Sequence, residues 1–529
     1  MQFVAPCIQR RVLKSLVLSG LFAAMATSRL QAAVTYHQVE AFEDQTVTSS
    51  PPYYKYATVN FAGNPTVTTG GRTYFALDSV GSVSNSTTSV HAATVAQNAY
   101  FTGPGTTATG NVYADSADRF LVETVLLPGA GIADPPLSSS NKAPAYFGRS
   151  AFVAGAYTTL NINVSEHAYN GSIKLTGDTP ALTLDRDRDA VRRIDFMQAR
   201  EPKVLMTTGA AGSSTSGLVW SSYNSVAVRG TQALNPTGGP GKKHADLWAV
   251  NSVGSVLQAS FTSALVSGHS AALQATAQAS APLADAFNNA VVVKSIMMTA
   301  ADKNYVVVGN SWTRDTANNL SVQQGAGRAN YTVSNSILTA GERNTTAVTG
   351  GTIVSPTVYT TSQGWAYNTS SAGVDRALVF QVAGTATYVD ATLNWDFTQQ
   401  STTFGGLPGI DTSDAGRLYA DLNLQIVPLT ASGSNYLMGT ALSATGLFST
   451  LSNAGAAGPD NVEHLYYTGT PLAAGTYAFI IRSDSSLSVP FGFSYNLTLT
   501  APLPEPTSGL LLLIGGSMLL TRRRLTETV

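Results

Sequence analysis

Gln258-Ala259-Ser260-Phe261-Thr262-Ser263-Ala264-Leu265-Val266-Ser267-Gly268 is the stretch on which the reading of this chain turns. Small and apolar residues continue beyond it, and the run predicts a helix from Ser260 to Ala279 with the serine in its first turn. Helix starts favour negative charge, so a serine placed there has one of the attributes of a nucleophile. A histidine could take its proton, and the chain has one well upstream in His91-Ala92-Ala93-Thr94-Val95-Ala96.

Outward from this helix, strand-like and helical runs alternate between about Val34 and Gly341, the pattern of a parallel sheet with crossover helices. Tyr74-Phe75-Ala76-Leu77 and Lys203-Val204-Leu205-Met206 read as short buried strands. Asp189 to Ala199 has helical spacing, with Val191, Ile194 and Phe196 or Met197 on one side and Asp189 and Arg193 as an exposed i,i+4 pair. A further helix is predicted over Leu283 to Ala300. From about Asn344 to Leu499 the helical period disappears. Runs such as Ala377-Leu378-Val379-Phe380-Gln381-Val382 and Tyr477-Ala478-Phe479-Ile480-Ile481 alternate between turn signals, which predicts a β-sandwich.

Several of these segments together resemble subtilisin-like serine peptidases. His91 to Ala96 resembles their His-Gly-Thr-His-Val-Ala segment, and Gln258 to Gly268 their Gly-Thr-Ser-Met-Ala-Ala-Pro-His-Val-Ala-Gly. In the family's order, Asn161 to Ser165, Lys203 to Ala210, Tyr223 to Val228, His244 to Ala249, Val293 to Ala300 and Gln324 to Asn330 are similar to intervening and closing segments. The resemblance runs from about Arg72 to Leu338. It implies that Ser260 attacks, His91 shuttles the proton, and Asp78 or an unidentified acid orients His91. Departures are explicit. Ala210 stands at the oxyanion position where the family has an asparagine, a loss that typically costs about 10²–10³ in turnover. Gln258 and Ala264 replace a glycine and a proline. The implied function is a serine endopeptidase domain, degenerate, with weak or no peptide-bond hydrolysis. The alternative is a non-catalytic structural or polymer-binding envelope protein.

Both ends carry export signals. Arg10, Arg11 and Lys14 precede an apolar run from Leu16 to Met25, and Leu30-Gln31-Ala32-Ala33 offers small residues to a signal peptidase. At the other end stand Pro504-Glu505-Pro506, apolar Gly509 to Leu520, and Arg522-Arg523-Arg524. A short apolar helix capped by arginines stops in a membrane with the basic cluster inside. This order resembles the PEP-CTERM sorting tail of Gram-negative bacteria. It implies recognition by an exosortase-type sorting enzyme, a precursor held in the inner membrane by its C-terminal helix, and delivery to the cell surface or exopolysaccharide.

Composition agrees with a secreted, β-rich protein: charged residues make up 12% and the formal net charge is −1. No net field exists to attract nucleic acid. The single cysteine, Cys7, falls in the removable leader, so the mature chain has neither a disulfide nor a thiolate metal site. Asp185-Arg186-Asp187-Arg188-Asp189 reads as a solvated helix entrance, without the glycine and glutamate of the common calcium loop. His37, His167, His269 and His464 have no partner at zinc-ligand spacing. No metal or cofactor is expected, and the partners expected are the sorting enzyme and a peptide or exopolysaccharide.

The resulting expectation has four parts: a signal peptide over 1–32, a subtilisin-like α/β domain of parallel strands and crossover helices over 33–341, an all-β sandwich over 342–501, and a sorting tail with a short membrane helix over 502–529.

Overall fold

The structure, a computed structural model, describes residues 202–210, 219–230, 241–249, 259–304, 312–314 and 320–399, most of 401–442, residues 460–467, 471–483 and 487–500, and a few earlier pieces. Those pieces are the strands β1 (Tyr36–Val39), β2 (Thr66–Thr69), β3 (Arg72–Phe75) and β4 (Val164–His167), and scattered helical residues from Val191 to Ala199. They are followed by β5 (Leu205–Ala210), β6 (Val226–Arg229) and β7 (Leu247–Trp248). Five of these strands pair in parallel in the order β1-β4-β5-β6-β7. β5 is buried along its whole length, because both faces of a parallel sheet are covered and alternation has no use there. β2 and β3 form a separate antiparallel pair.

Helix α1 (Ala259–Gln278) packs against β4, β5 and β6. The helix predicted from Leu283 to Ala300 is instead two, α2 (Ala284–Asn288) and α3 (Ala290–Thr299). Asn289 between them is extended (φ −134°, ψ 102°), and the Ala290 N–H bonds to the Pro202 carbonyl instead of continuing a helical ladder. The break redirects α3 into the interior, where every residue from Val291 to Thr299 is buried. Such all-round burial suits an apolar run without a polar stripe. Helix α4 (Tyr331–Ala340) closes this part, with the Asn330 side chain accepting the Val333 N–H at its start.

The rest is strand: β8 (Thr346–Thr349), β9 (Thr352–Ile353), β10 (Val358–Tyr359), β11 (Gln363–Thr369), β12 (Arg376–Val382), β13 (Thr385–Trp395), β14 (Thr398–Gln399), β15 (Ser401–Phe404), β16 (Leu407–Ile410), β17 (Arg417–Leu418), β18 (Leu422–Ser432), β19 (Asn435–Met438), β20 (Val462–Tyr467), β21 (Gly475–Ser483) and β22 (Pro490–Thr500). A seven-stranded sheet, β10-β12-β21-β18-β19-β9-β8, faces a four-stranded one, β11-β22-β13-β20, and β14–β17 and β15–β16 form two small pairs. Leu378, Phe380 and Val382 of β12 point into the core between the sheets, with Phe479, Phe493 and Tyr495. Ala377 and Val379 point the other way, against Val427 and Ile480. On β13 the same alternation sends Ala391, Leu393 and Trp395 into the sandwich core, which leaves Asp390, Thr392 and Asn394 buried on the opposite face.

The α3 helix joins the two parts. It packs on β13 and β22 as well as on β5, and Trp365 and Val462 share one apolar cluster with α3, α4 and the parallel strands. The Trp365 indole also donates to the Leu338 carbonyl at 2.9 Å. At the tightest point Gly492 of β22 lies against the start of α3, where a Cβ would fall 2.5 Å from the Val291 carbonyl carbon.

The expected class is therefore corrected. The described residues are 43% strand and 24% helix and are dominated by antiparallel sheets, not by a subtilisin-like parallel α/β fold. The physical reason lies in strand length. The parallel strands span two to six residues each, whereas β13, β18 and β22 run for 11. Nor is there, among the described residues, a helix long and apolar enough to cross a membrane. The short tail helix expected between Gly509 and Leu520 lies outside them.

Candidate functional site

Ser260 falls in the first turn of α1, as expected, although its side chain is outside the described residues. His91, Asp78 and Gln258 are also outside them, as are Pro504, Glu505, Pro506, Arg522, Arg523 and Arg524. Among the described strands, β3, which precedes Asp78, pairs with β2 and does not enter the parallel sheet. Ala210 ends β5 opposite Arg229 of β6, and is fully buried beside Trp220 and Ala227. Its methyl group offers no hydrogen-bond donor.

The polar site that the structure brings together lies where β6 and β7 of the parallel sheet begin. Asp246 follows a short turn before β7 and is completely buried. Its Oδ2 contacts the Lys242 ammonium and accepts the Ala227 N–H at 2.7 Å, and its Oδ1 lies 3.6 Å from Lys294 of α3. Both lysines donate to the Ser225 carbonyl, Lys242 at 2.7 Å and Lys294 at 3.1 Å. Lys294 also reaches the Tyr223 carbonyl at 2.8 Å. Burial pushes the Lys242 ammonium down to about 8 against the pull of Asp246. Burial opposes ionisation of Asp246 too, but Lys242, Lys294 and His244 together outweigh it and hold the carboxyl below its usual range. Gly325 closes the backbone over this aspartate. Its φ is +57°, and a Cβ would fall 2.2 Å from the Asp246 carbonyl oxygen, so a glycine is required.

From here a hydrogen-bonded chain crosses to the sandwich. Buried Asp195 accepts from the Ser222 hydroxyl at 2.7 Å and the Asn224 N–H at 3.0 Å. The Asn224 amide donates to the carbonyls of Asp195 and Phe397, each at 2.8 Å, and its oxygen accepts the Phe397 N–H at 2.7 Å. Asn461 donates to that oxygen at 3.1 Å and to the Trp395 carbonyl at 2.7 Å. His244 Nε2 meets Asp460 at 2.5 Å. Burial pulls His244 toward the neutral form, yet Asp460 and Asp246 raise it above its ordinary value. Tyr223 stacks on Phe397 with centroids 4.4 Å apart. Asp396 beside this chain is pushed up to about 7 by burial, with Asp195 adding to the effect and Lys294 opposing it. This arrangement fixes two layers against each other, and its groups are occupied with one another.

A second polar cluster lies on the buried face of β13 turned away from the sandwich core, around Lys303, Asp390, Tyr388 and His464. His464 and His269 are both buried, and burial lowers both imidazoles, His269 to about 3. They stay neutral in the neutral pH range. Among the described residues no group of three or more His, Cys, Asp or Glu could hold a metal ion.

Sequence reasoning passed over Asp195, Asn224, Lys242, Lys294, Lys303 and Asp390. A signal was available for two of them. In a chain with 12% charge, Lys294 inside Val291–Met298 and Asp390 inside a strand run are charges where apolar residues belong. Such charges are buried with a partner or not at all.

No protein-family model matches the chain, and no curated protein matches it. Among solved structures, it is similar to the pre-peptidase C-terminal domain of a collagenase from Bacillus anthracis, at 9% identity and a TM-score of 0.15 over 26% of this chain and 91% of that one. It is also similar to a mitogen derived from Yersinia pseudotuberculosis, at 9% identity and a TM-score of 0.14 over 27% of this chain and 91% of that one. For tripeptidyl peptidase 2 the identity is 9% and the TM-score 0.20, over 65% of this chain and 35% of that one. At these scores the similarities carry no weight for function.

Proposed function

We propose that this chain is an exported bacterial protein, delivered to the cell surface or the exopolysaccharide, whose body is a non-catalytic structural or polymer-binding component. The observation that supports the reading is the burial of Ala210: the resemblance, and only the resemblance, assigns it to the oxyanion position, and its methyl group supplies no donor there. The two parts of the body share an apolar cluster and a polar network across their junction, which suits a load-bearing component. The leader with Arg10 and Arg11 and the tail with Pro504-Glu505-Pro506 and Arg522-Arg523-Arg524 support the route, with an exosortase-type enzyme as the sorting partner.

The test uses the full chain in a Gram-negative host with such a sorting enzyme. Wild type is expected in the surface or exopolysaccharide fraction without its tail, and Glu505→Ala is expected to stay in the inner membrane at precursor mass. Equal surface delivery of both would overturn the route. Cosedimentation of the mature protein with the host's purified exopolysaccharide tests polymer binding, which is rejected if the protein stays in the supernatant.

A second reading, a slow serine endopeptidase with Ser260 as nucleophile, His91 as base and Asp78 or another acid orienting it, is favoured by one observation. Ser260 sits in the first turn of a 20-residue helix.

A further inference from the structure

Among the described residues two buried lysines contact buried aspartates, and their surroundings send them to different chemistry. Asp246 touches Lys242, faces Lys294 at 3.6 Å and accepts a backbone N–H at 2.7 Å. A carboxyl so surrounded stays ionised, and a carboxylate carbon resists nucleophiles. Lys303, which follows α3, contacts Asp390 of β13, their side chains 1% and 0% exposed. The Tyr466 and Trp312 rings cover the Lys303 nitrogen at 4.7 and 5.7 Å. The two rings pack edge to face at 5.1 Å, and Tyr388 packs edge to face on Tyr466 at 5.6 Å, so an aromatic wall encloses the pair. Tyr388 donates its hydroxyl to Asp390 Oδ2 at 2.8 Å. His464 Nε2 lies 3.5 Å from the other oxygen, Oδ1, and its Nδ1 is 2.9 Å from the Thr392 hydroxyl.

Burial lowers the Lys303 ammonium and raises the Asp390 carboxyl to about 6. Both changes favour moving one proton from nitrogen to oxygen, leaving a neutral amine against a carboxylic acid. A neutral amine is a nucleophile, and a protonated carboxyl has a carbon that can be attacked.

We propose that Lys303 and Asp390 condense into an isopeptide bond, a covalent tie between the segment after α3 and strand β13. The Nζ–Cγ bond forms and the Cγ–Oδ2 bond breaks. Of the three protons on the starting ammonium, one remains on the amide nitrogen and two leave with Oδ2 as water. No oxidant, reductant or second substrate is needed. Tyr388 is placed on the leaving oxygen, where its hydroxyl hands over a proton and recovers one from the attacking nitrogen. His464, with Nε2–H toward Oδ1 and Nδ1 accepting from Thr392, stabilises the charge on Oδ1 in the tetrahedral intermediate. The aromatic wall keeps water from reversing the step. This inference does not depend on the function proposed above.

The test is peptide mapping of the full chain as cells process it, denatured and digested with trypsin, compared with Lys303→Arg, which keeps the charge but lacks the amine. Trypsin is expected not to cut after Lys303. The peptide carrying Lys303 is expected joined to the peptide carrying Asp390, at their summed mass less one water. Lys303→Arg is expected to give linear peptides, and Tyr388→Phe a mixture that shifts toward the joined form with time. Wild-type protein that yields linear peptides alone, cut after Lys303 and with Asp390 unmodified, overturns the proposal without reference to how any variant folds. A joined species that survives in Lys303→Arg also overturns it.

Discussion

Replacing Asp246 by alanine removes the carboxylate between two buried ammonium groups, Lys242 with its side chain 0% exposed and Lys294 at 2%. Breaking a buried pair by deleting one partner costs about 3–5 kcal/mol, because the other charge stays behind without compensation. Of the two lysines left, Lys242 has an escape. Lys242 is already down to about 8 with the carboxylate present, so its removal drives the amine toward the neutral form. Neutralising a lysine of ordinary value near 10.4 at pH 7 costs about 5 kcal/mol, and that sets the ceiling. The Ala227 N–H, which bonds to Asp246 at 2.7 Å, also loses its acceptor and accounts for part of the loss. At roughly 2–4 °C per kcal/mol, the melting temperature should fall by about 6–20 °C. The assay is thermal and urea unfolding at pH 7 followed by circular dichroism, on wild type, Asp246→Ala, Lys242→Met and the double variant. The double variant should recover at least ~1 kcal/mol relative to the sum of the singles, because the pair is in contact. A single variant within ~1 kcal/mol of wild type would refute the reasoning, and so would strictly additive singles.

Gly492→Ala places a methyl group 2.5 Å from the Val291 carbonyl carbon and 2.6 Å from the Val292 nitrogen, both backbone, so the junction of β22 and α3 must open. A destabilisation of about 1–3 kcal/mol is expected in urea melts, and an unchanged midpoint would show that the close approach is not real. His269 is held to about 3 in the folded chain against about 6.5 unfolded, so between those values the unfolded state binds the extra proton. Stability from this group is present above pH 6.5 and is lost as pH falls toward 3, by up to about 5 kcal/mol. His269→Leu should flatten that acid limb in melts taken from pH 7 to 4, and parallel profiles would reject the assignment. Asp396 works in the opposite sense. Its folded value of about 7 exceeds the ordinary carboxyl value, so its contribution is full below about pH 4 and is lost as pH rises through 7. Asp396→Asn should therefore gain stability relative to wild type at pH 8 and lose that advantage at pH 4; an advantage that does not change with pH contradicts the account.

Local periodicity was readable, and partnership across the chain was not. The Ala-rich run predicted over Ser260 to Ala279 is α1 at Ala259–Gln278, and the alternating run at Tyr477 to Ile481 lies inside β21. Each pattern is set by near neighbours along the chain. The continuous apolar run from Leu283 to Ala300 misled because helix periodicity does not register a backbone break that a distant carbonyl stabilises, here that of Pro202. Tyr74 to Leu77 misled for a related reason. An apolar run specifies a strand, but its partner decides the sheet, and β3 took β2. The balance of the fold is not legible in the order of segments: the parallel strands are short, and the long antiparallel strands hold most of the regular structure. For the site, His244 and Asp460 are 216 positions apart and Asn224 and Asn461 are 237 apart, so no local pattern could pair them. His91 and Asp78 lie outside the described residues, and their roles rest on the resemblance alone.

The central claim, that this body does not turn over an acyl bond, is tested most directly by treating the folded mature protein with a fluorophosphonate probe beside Ser260→Ala. The account predicts no labelling of either protein at probe concentrations that label an active serine hydrolase to completion. Labelling of wild type that disappears with Ser260→Ala would contradict it and establish Ser260 as an activated nucleophile.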